Sequence, residues 1–405
     1  MGPRAHLLAV ALCAGAVLTG CSPGTAPAPG ASAGTTSSTT SSTTSGVAAE
    51  EPAATAAQPS PVQPPSPPPP PAAQGSLVEV ARIGGEISPK SVVATGTGLV
   101  VAQNMMYRHT VTVYDRSFAL VATIPDEVVL SDFGHPEQGA YRGAPVEAVV
   151  TADGRHVYVS NYSMEGPGFR EGRDTCSPED DLPDSFVYRI DTATLRIDQV
   201  VRVGAVPKFL ELTPDGRTLL VSNWCSYDVS VVDTAAATEV ARVPVGRYPR
   251  GIAVSPDSRT AHVAVMGSTH LAVLDLATLA VGRVEDVGGG PRHVLASPDG
   301  AHLYVTLNRD GLVTKVDAAT GETVARVSTG AAPRSAALSA DGTALYVVNY
   351  ESGTVAKVAT DGMQVVQTAP VPHHPIGITV DDAARQVWVA SYSGTITVLQ
   401  DGAER

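Results

Sequence analysis

Three observations predict an all-β fold, a seven-bladed β-propeller of four-stranded antiparallel blades. Pro207, Pro249, Pro291, Pro333 and Pro375 recur at intervals of 42 residues. Each of the first four opens a phrase of four short apolar runs, with a turn such as Thr213-Pro214-Asp215-Gly216 or Ser297-Pro298-Asp299-Gly300 between the first two. The phrase after Pro375 holds only three runs, whereas a lone run of fourth-strand character, Glu79-Val80-Ala81-Arg82-Ile83-Gly84, precedes the first phrase. A period near 40 residues with four strands per unit marks blades that cannot bury their faces alone. The early run is therefore expected to complete the last blade, which leaves no open sheet edge at the seam.

In chain order, residues 1–20 read as a secretory signal, with Arg4 as the positive end and Leu7 to Val17 as the apolar core. That run is too short for a stable membrane span. Leu18-Thr19-Gly20-Cys21 resembles the bacterial lipoprotein box, which implies cleavage before Cys21, lipid on its sulfur and an extracytoplasmic, membrane-anchored address in the cell envelope. Residues 21–75, rich in Ser, Thr and Pro with an unbroken proline run from Pro67 to Pro71, cannot build a core and read as a disordered linker. The propeller is assigned to residues 76–405.

Counting opening prolines gives Pro89, Pro145, Pro207, Pro249, Pro291, Pro333 and Pro375, hence seven blades. The two longer first intervals place insertions at Pro125 to Arg142 and, inside blade two, at Ser163 to Ser185. Tyr158-Val159-Ser160-Asn161, Leu220-Val221-Ser222-Asn223 and Tyr346-Val347-Val348-Asn349 resemble the YVTN motif of bacterial YVTN-repeat β-propellers, and Pro249-Arg250-Gly251-Ile252-Ala253-Val254-Ser255-Pro256-Asp257 resembles that family's first strand and turn. Blades four, five and seven depart from the Asn, with Val265, Leu307 and Ser391. The resemblance implies fold far more than function, because such propellers host lyases, lactonases, electron-transfer subunits and binding modules.

The turn into strand one and the loop after strand two share a face in a propeller. Lys90, Lys208, Arg250, Arg292 and Arg334 follow their opening prolines, so repetition gathers them at one channel mouth. The formal charge of −13 disfavours duplex nucleic acid as a partner, and a local ring of cations instead focuses potential on a small anion. Either that, or each cation pairs with a neighbouring blade and ties the ring together. Asn161, Tyr162, Asn223, Trp224, Asn349, Tyr350 and Tyr392 fall on the same face and suit flat polar ligands, with inter-blade packing as their alternative role. His293, His373 and His374 also lie there, and Glu147 holds the blade-two position equivalent to His293.

With Cys13 in the signal and Cys21 assigned to lipid, Cys176 and Cys225 remain to pair, and a bond between them would staple the blade-two insertion over the mouth as a lid. Within residues 76–405 no GxSxG, HExxH, Walker A or CxxC pattern occurs, zinc-type ligand spacing is absent, and the acidic cluster at Glu179-Asp180-Asp181 lacks the alternation of an EF-hand. No metal or cofactor is expected. Asp115, Asp191, Asp233, Asp275 and Asp317 recur as turn residues.

The expectation is a monomer that binds a polar or anionic small molecule, glycan or protein partner at the mouth, without catalysis of its own. A lactonase or lyase using His293 or His374 as base with Glu147 is the alternative. Single-stranded nucleic acid on the aromatic and arginine face is the second.

Overall fold

The computed structural model describes residues 70–403. The expectations for the signal, for Cys21 and for the linker as far as residue 69 lie outside the described residues. Seven antiparallel sheets follow one another along the chain. Blade one comprises Pro89–Ala94, Leu99–Asn104, Thr110–Asp115 and Leu120–Pro125. The innermost strand of each later blade also begins at or runs through its opening proline: Ala140–Val150, Pro207–Leu212, Pro249–Val254, Pro291–Ala296, Pro333–Leu338 and Pro375–Asp381. These inner strands adjoin one another in sequence, and the last lies against the first, so the ring is closed.

The seam closes as expected. Ser76–Ile83 adds antiparallel to Thr395–Ala403, with Ile83 opposite Ile396 and Leu77 opposite Asp401. Just before it, Ala72–Gln74 forms a short 3-10 turn whose first amide donates to Asp341 Oδ2 at 2.9 Å in blade six. A buried ion pair reinforces the same seam. Lys357, fully buried in blade six, donates to Asp401 Oδ1 at 2.6 Å and to the Gly75 carbonyl at 2.7 Å, while the Tyr346 hydroxyl donates to the other Asp401 oxygen.

Local turn chemistry explains why the units repeat. The recurrent strand-end aspartates each accept amides two to four residues ahead, such as Ala193 and Thr194 at Asp191 Oδ1 and Ala319 and Thr320 at Asp317 Oδ1. In the first turn of the blade, the Thr213, Ser255, Ser297 and Ser339 hydroxyls donate to the Asp two residues on. The apolar runs pack between blades: Val229, Val231 and Leu220 of blade three meet Ile252, Val263 and Leu274 of blade four. Fourth strands form the rim and alternate exposed and half-buried positions, as in Thr323–Ser328.

Blade two differs from its neighbours. The segment after Pro125 supplies a fifth strand, Glu127–Val129, paired with the start of Ala140–Val150. That long strand and His156–Glu165 continue as a hairpin past the Pro145–Asn161 pair to Arg142 opposite Glu165. The hairpin therefore extends blade two on the side of the opening prolines.

Replacing Asp401 by Ala leaves the Lys357 ammonium buried without a counter-charge, at a cost of about 3–5 kcal/mol. Denaturant unfolding of Asp401→Ala should show its midpoint lowered accordingly. An unchanged midpoint would mean that the seam does not depend on this pair.

Candidate functional site

Two backbone features bring the mouth residues together. The residue ahead of the opening proline adopts a left-handed conformation in several blades, with φ of 58° at Val206, 62° at Tyr248, 54° at Ala332 and 58° at His374. Only Gly290, at 66°, adopts it without steric cost. Gly251 then lets the next inner strand approach, since a Cβ there would stand 2.7 Å from the His293 Cα. Arg250 and Arg292 are carried toward each other as a result.

The five cations divide into two groups. Lys90 Nζ and Arg250 Nη2 both donate to Glu147 Oε1 at 3.0 Å. Burial alone would raise the Glu147 carboxyl, yet the charges of Lys90 and Arg250 hold it below its ordinary value. Burial pushes the Lys90 ammonium well down, against the pull of Glu147. Lys208 donates to Asp174 Oδ1 at 2.9 Å, with its Nζ 4.2 Å from the Tyr162 ring centre and 5.1 Å from that of Trp224. Burial brings the Lys208 pKa down to about 7. These three cations tie blades and lid together.

Among the described residues, neither Arg292 nor Arg334 forms an ion pair with a carboxylate. Arg292 is 6% exposed; its Nη1 rests on Met266 Sδ at 3.7 Å and its Nε has no partner among the described residues. Burial, with the charges of Arg250 and Arg334 adding to it, pushes this guanidinium well below its ordinary value. The Arg334 guanidinium lies 3.5 Å from the Tyr350 ring centre, and its Nε is likewise unpartnered. Tyr350 stacks on His374 at 4.4 Å and meets Tyr392 edge-on at 6.1 Å. Burial raises the Tyr392 hydroxyl to about 12 although three arginines oppose it, so the phenol remains a neutral donor. The mouth thus has an aromatic wall beside two guanidinium groups that form no ion pair among the described residues.

The lid is present. Cys176 and Cys225 form a disulfide with Cα atoms 5.4 Å apart. By chain entropy, a closed loop of this length contributes about 4 kcal/mol. Trp224 Nε1 donates to the Asp174 carbonyl at 2.9 Å, and the Tyr227 hydroxyl to the Cys176 carbonyl at 2.5 Å, so the insertion is bonded to blade three beside the disulfide.

Several sequence expectations need correction. Asn161, Asn223 and Asn349 are fully buried and do not line the mouth. Asn223 Nδ2 donates to Asp228 and Ser230, and Asn349 Nδ2 to the Thr329 carbonyl and Thr354 Oγ1, so both brace strand ends. Asn161 lies beneath Gly143, where a Cβ would stand 2.3 Å from its Oδ1. His293 is poorly placed as a base: its Nδ1 accepts the Ala336 amide at 3.1 Å, so the proton resides on Nε2, and burial lowers its pKa to about 4. Glu147 is pinned between two cations, and His374, exposed like His373, stacks on Tyr350 in the wall of the mouth. Sequence reading missed Met266 and Tyr248, which stacks on Trp224 at 4.4 Å. Tyr248 could have been found from its place before an opening proline, the position of His374 in blade seven.

Fold and site together define a seven-bladed β-propeller with a cationic, aromatic mouth under a disulfide-pinned lid. Residues 267–392 are similar to the family described as Cytochrome D1 heme domain. A chain in the structure of Kuenenia stuttgartiensis hydrazine synthase shares the fold with a TM-score of 0.62 at 20% identity, over 78% of this chain and 97% of that one. No curated protein matches the sequence significantly. The segment similar to the haem-domain family holds Arg292 and Arg334, which suit the carboxylates of a haem. The iron is a poorer fit, because the His293 lone pair is spent on Ala336, Met266 Sδ contacts Arg292, and the His374 ring is stacked on Tyr350. The mouth therefore matches an anion better than a buried metallocycle.

His293 has its pKa depressed on folding, so the unfolded chain binds a proton that the native state does not between about pH 6.5 and 4. Stability should fall as pH drops through that window. His293→Gln, which can still accept the Ala336 amide, should flatten this part of the profile in pH-dependent denaturant unfolding. An identical profile for the two proteins would remove the buried neutral imidazole from the account.

Proposed function

We propose that this protein is a lipid-anchored extracytoplasmic propeller of the YVTN-repeat kind that captures a small, flat, anionic ligand at the channel mouth and performs no catalysis there. The membrane attachment through Cys21, the cell-envelope address and the monomeric state belong to this reading. One observation carries it: Arg292, buried, and Arg334, half-buried, form no ion pair among the described residues and lie next to a third arginine that repels them. An ion buried without a partner costs several kcal/mol, a burden that a bound anion relieves. Guanidinium forks suit carboxylate or phosphate oxygens, while the Tyr392 ring and hydroxyl are offered to the rest of the ligand.

Arg292→Met should raise the stability of the ligand-free protein by about 1 kcal/mol or more, because it removes an uncompensated charge. The same substitution should abolish stabilisation by added anions. For wild type, inorganic phosphate or citrate at about 100 times its Kd should add about 2.7 kcal/mol. Calorimetry with these two anions on wild type, Arg292→Met and Arg334→Met checks both effects. Loss of stability in both variants, with no anion response in wild type, would make the arginines structural.

A further inference from the structure

A second concavity on the face of the opening prolines contains none of the mouth cations. It is a cleft of about 510 Å³ between the blade-one loop after Asn104 and the blade-two hairpin, and its lining includes Met105, Met106, His109, Met164, Glu165 and Phe169. Three of the six methionines in the chain meet here beside one imidazole and one carboxylate.

The imidazole is oriented as a ligand would be. His109 Nδ1 lies 2.7 Å from the Gly143 carbonyl oxygen, which can only accept, so Nδ1 carries the proton and Nε2 is left with its lone pair. A backbone carbonyl on one ring nitrogen is the usual support of a metal-binding histidine. Nε2 lies 3.4 Å from Glu165 Oε1, while Arg142 occupies the other carboxylate oxygen. A lone pair facing a carboxylate at this distance requires a cation between them, either the ring's own second proton or a metal ion. Two ligands at about 2.0–2.1 Å from a tetrahedral ion stand about 3.3–3.4 Å apart, which is the separation found.

The thioethers select the metal. Imidazole with carboxylate alone suits zinc, whereas thioether sulfur favours copper, above all Cu(I). Met164 Sδ accepts the Tyr188 hydroxyl at 3.7 Å, whereas Met105 packs against the cluster of Ala144, Val146 and Tyr162, and neither the Met105 nor the Met106 sulfur accepts a hydrogen bond among the described residues. We propose that this cleft binds one copper ion through His109 Nε2, Glu165 Oε1 and the thioethers of Met105 and Met106, independently of the anion site at the mouth.

Competition of the full-length protein against a chromogenic Cu(I) chelator tests the site. One Cu(I) per chain is expected, with affinity reduced about 100-fold in His109→Asn and at least about 10-fold in the double variant Met105→Leu, Met106→Leu. X-ray absorption of the copper-loaded wild type needs no variant and should show sulfur scatterers at about 2.3 Å beside nitrogen and oxygen. Failure of wild type to compete for Cu(I) would leave a plain His109–Glu165 ion pair and overturn the proposal. So would a copper spectrum without sulfur, or zinc binding at least as tight as copper and indifferent to the methionine substitutions.

Discussion

Closure of the ring is the constraint on which every other feature depends. Once the inner strand of blade seven lies against that of blade one, the residue after each opening proline must face a crowded axis. Close approach is written into the chain at Gly251 and at Gly377, where a Cβ would stand 2.6 Å from the Ser91 Cα. Cations placed at this position in five blades cannot spread apart. The fold converts a linear repeat into a concentration of positive charge inside a protein whose net charge is negative.

How the chain disposes of that charge separates scaffold from site. Glu147 absorbs Lys90 and Arg250, and Asp174, carried in by the lid, absorbs Lys208. Blades two and seven place Val146 and Ile376 at the position after the proline or its equivalent, both fully buried, so no further cation enters there. Arg292 and Arg334 remain, on consecutive blades and on the side of the mouth where Tyr350, His374 and Tyr392 form a wall. An asymmetric mouth built on a near-symmetric ring is what binding demands, because a fully neutralised ring would only hold the blades together. Burial keeps water from screening Arg292, which strengthens any anion contact it makes.

Much of the fold was legible because its causes are local. The opening prolines, the Asp turns and the hydroxyl-to-Asp bonds act within a few residues, so they repeat visibly with the unit. Pairing of the first strand with the last was legible as well, from a phrase one strand short. The gathering of the cations was legible in outline, since radial repetition places equivalent positions together, but their pairings were not. Lys90 and Glu147 are 57 residues apart, and Arg250 and Glu147 are 103 apart. Only the curvature of the ring sets such contacts. The asparagines were misplaced for a related reason: ending strand two at the mouth says nothing about whether the side chain points out of the blade or into it. The tautomer of His293 depends on the Ala336 amide, 43 residues away in the next blade, and no spacing rule reveals it.

The most direct test of the anion site is a crystal structure of the protein soaked in tungstate, whose anomalous signal locates the anion without assumption. A tungstate bound between Arg292 and Arg334, with its oxygens about 2.7–3.0 Å from the guanidinium nitrogens, is the result predicted. A mouth filled by water alone, with either guanidinium turned away toward the outer face, would contradict the account.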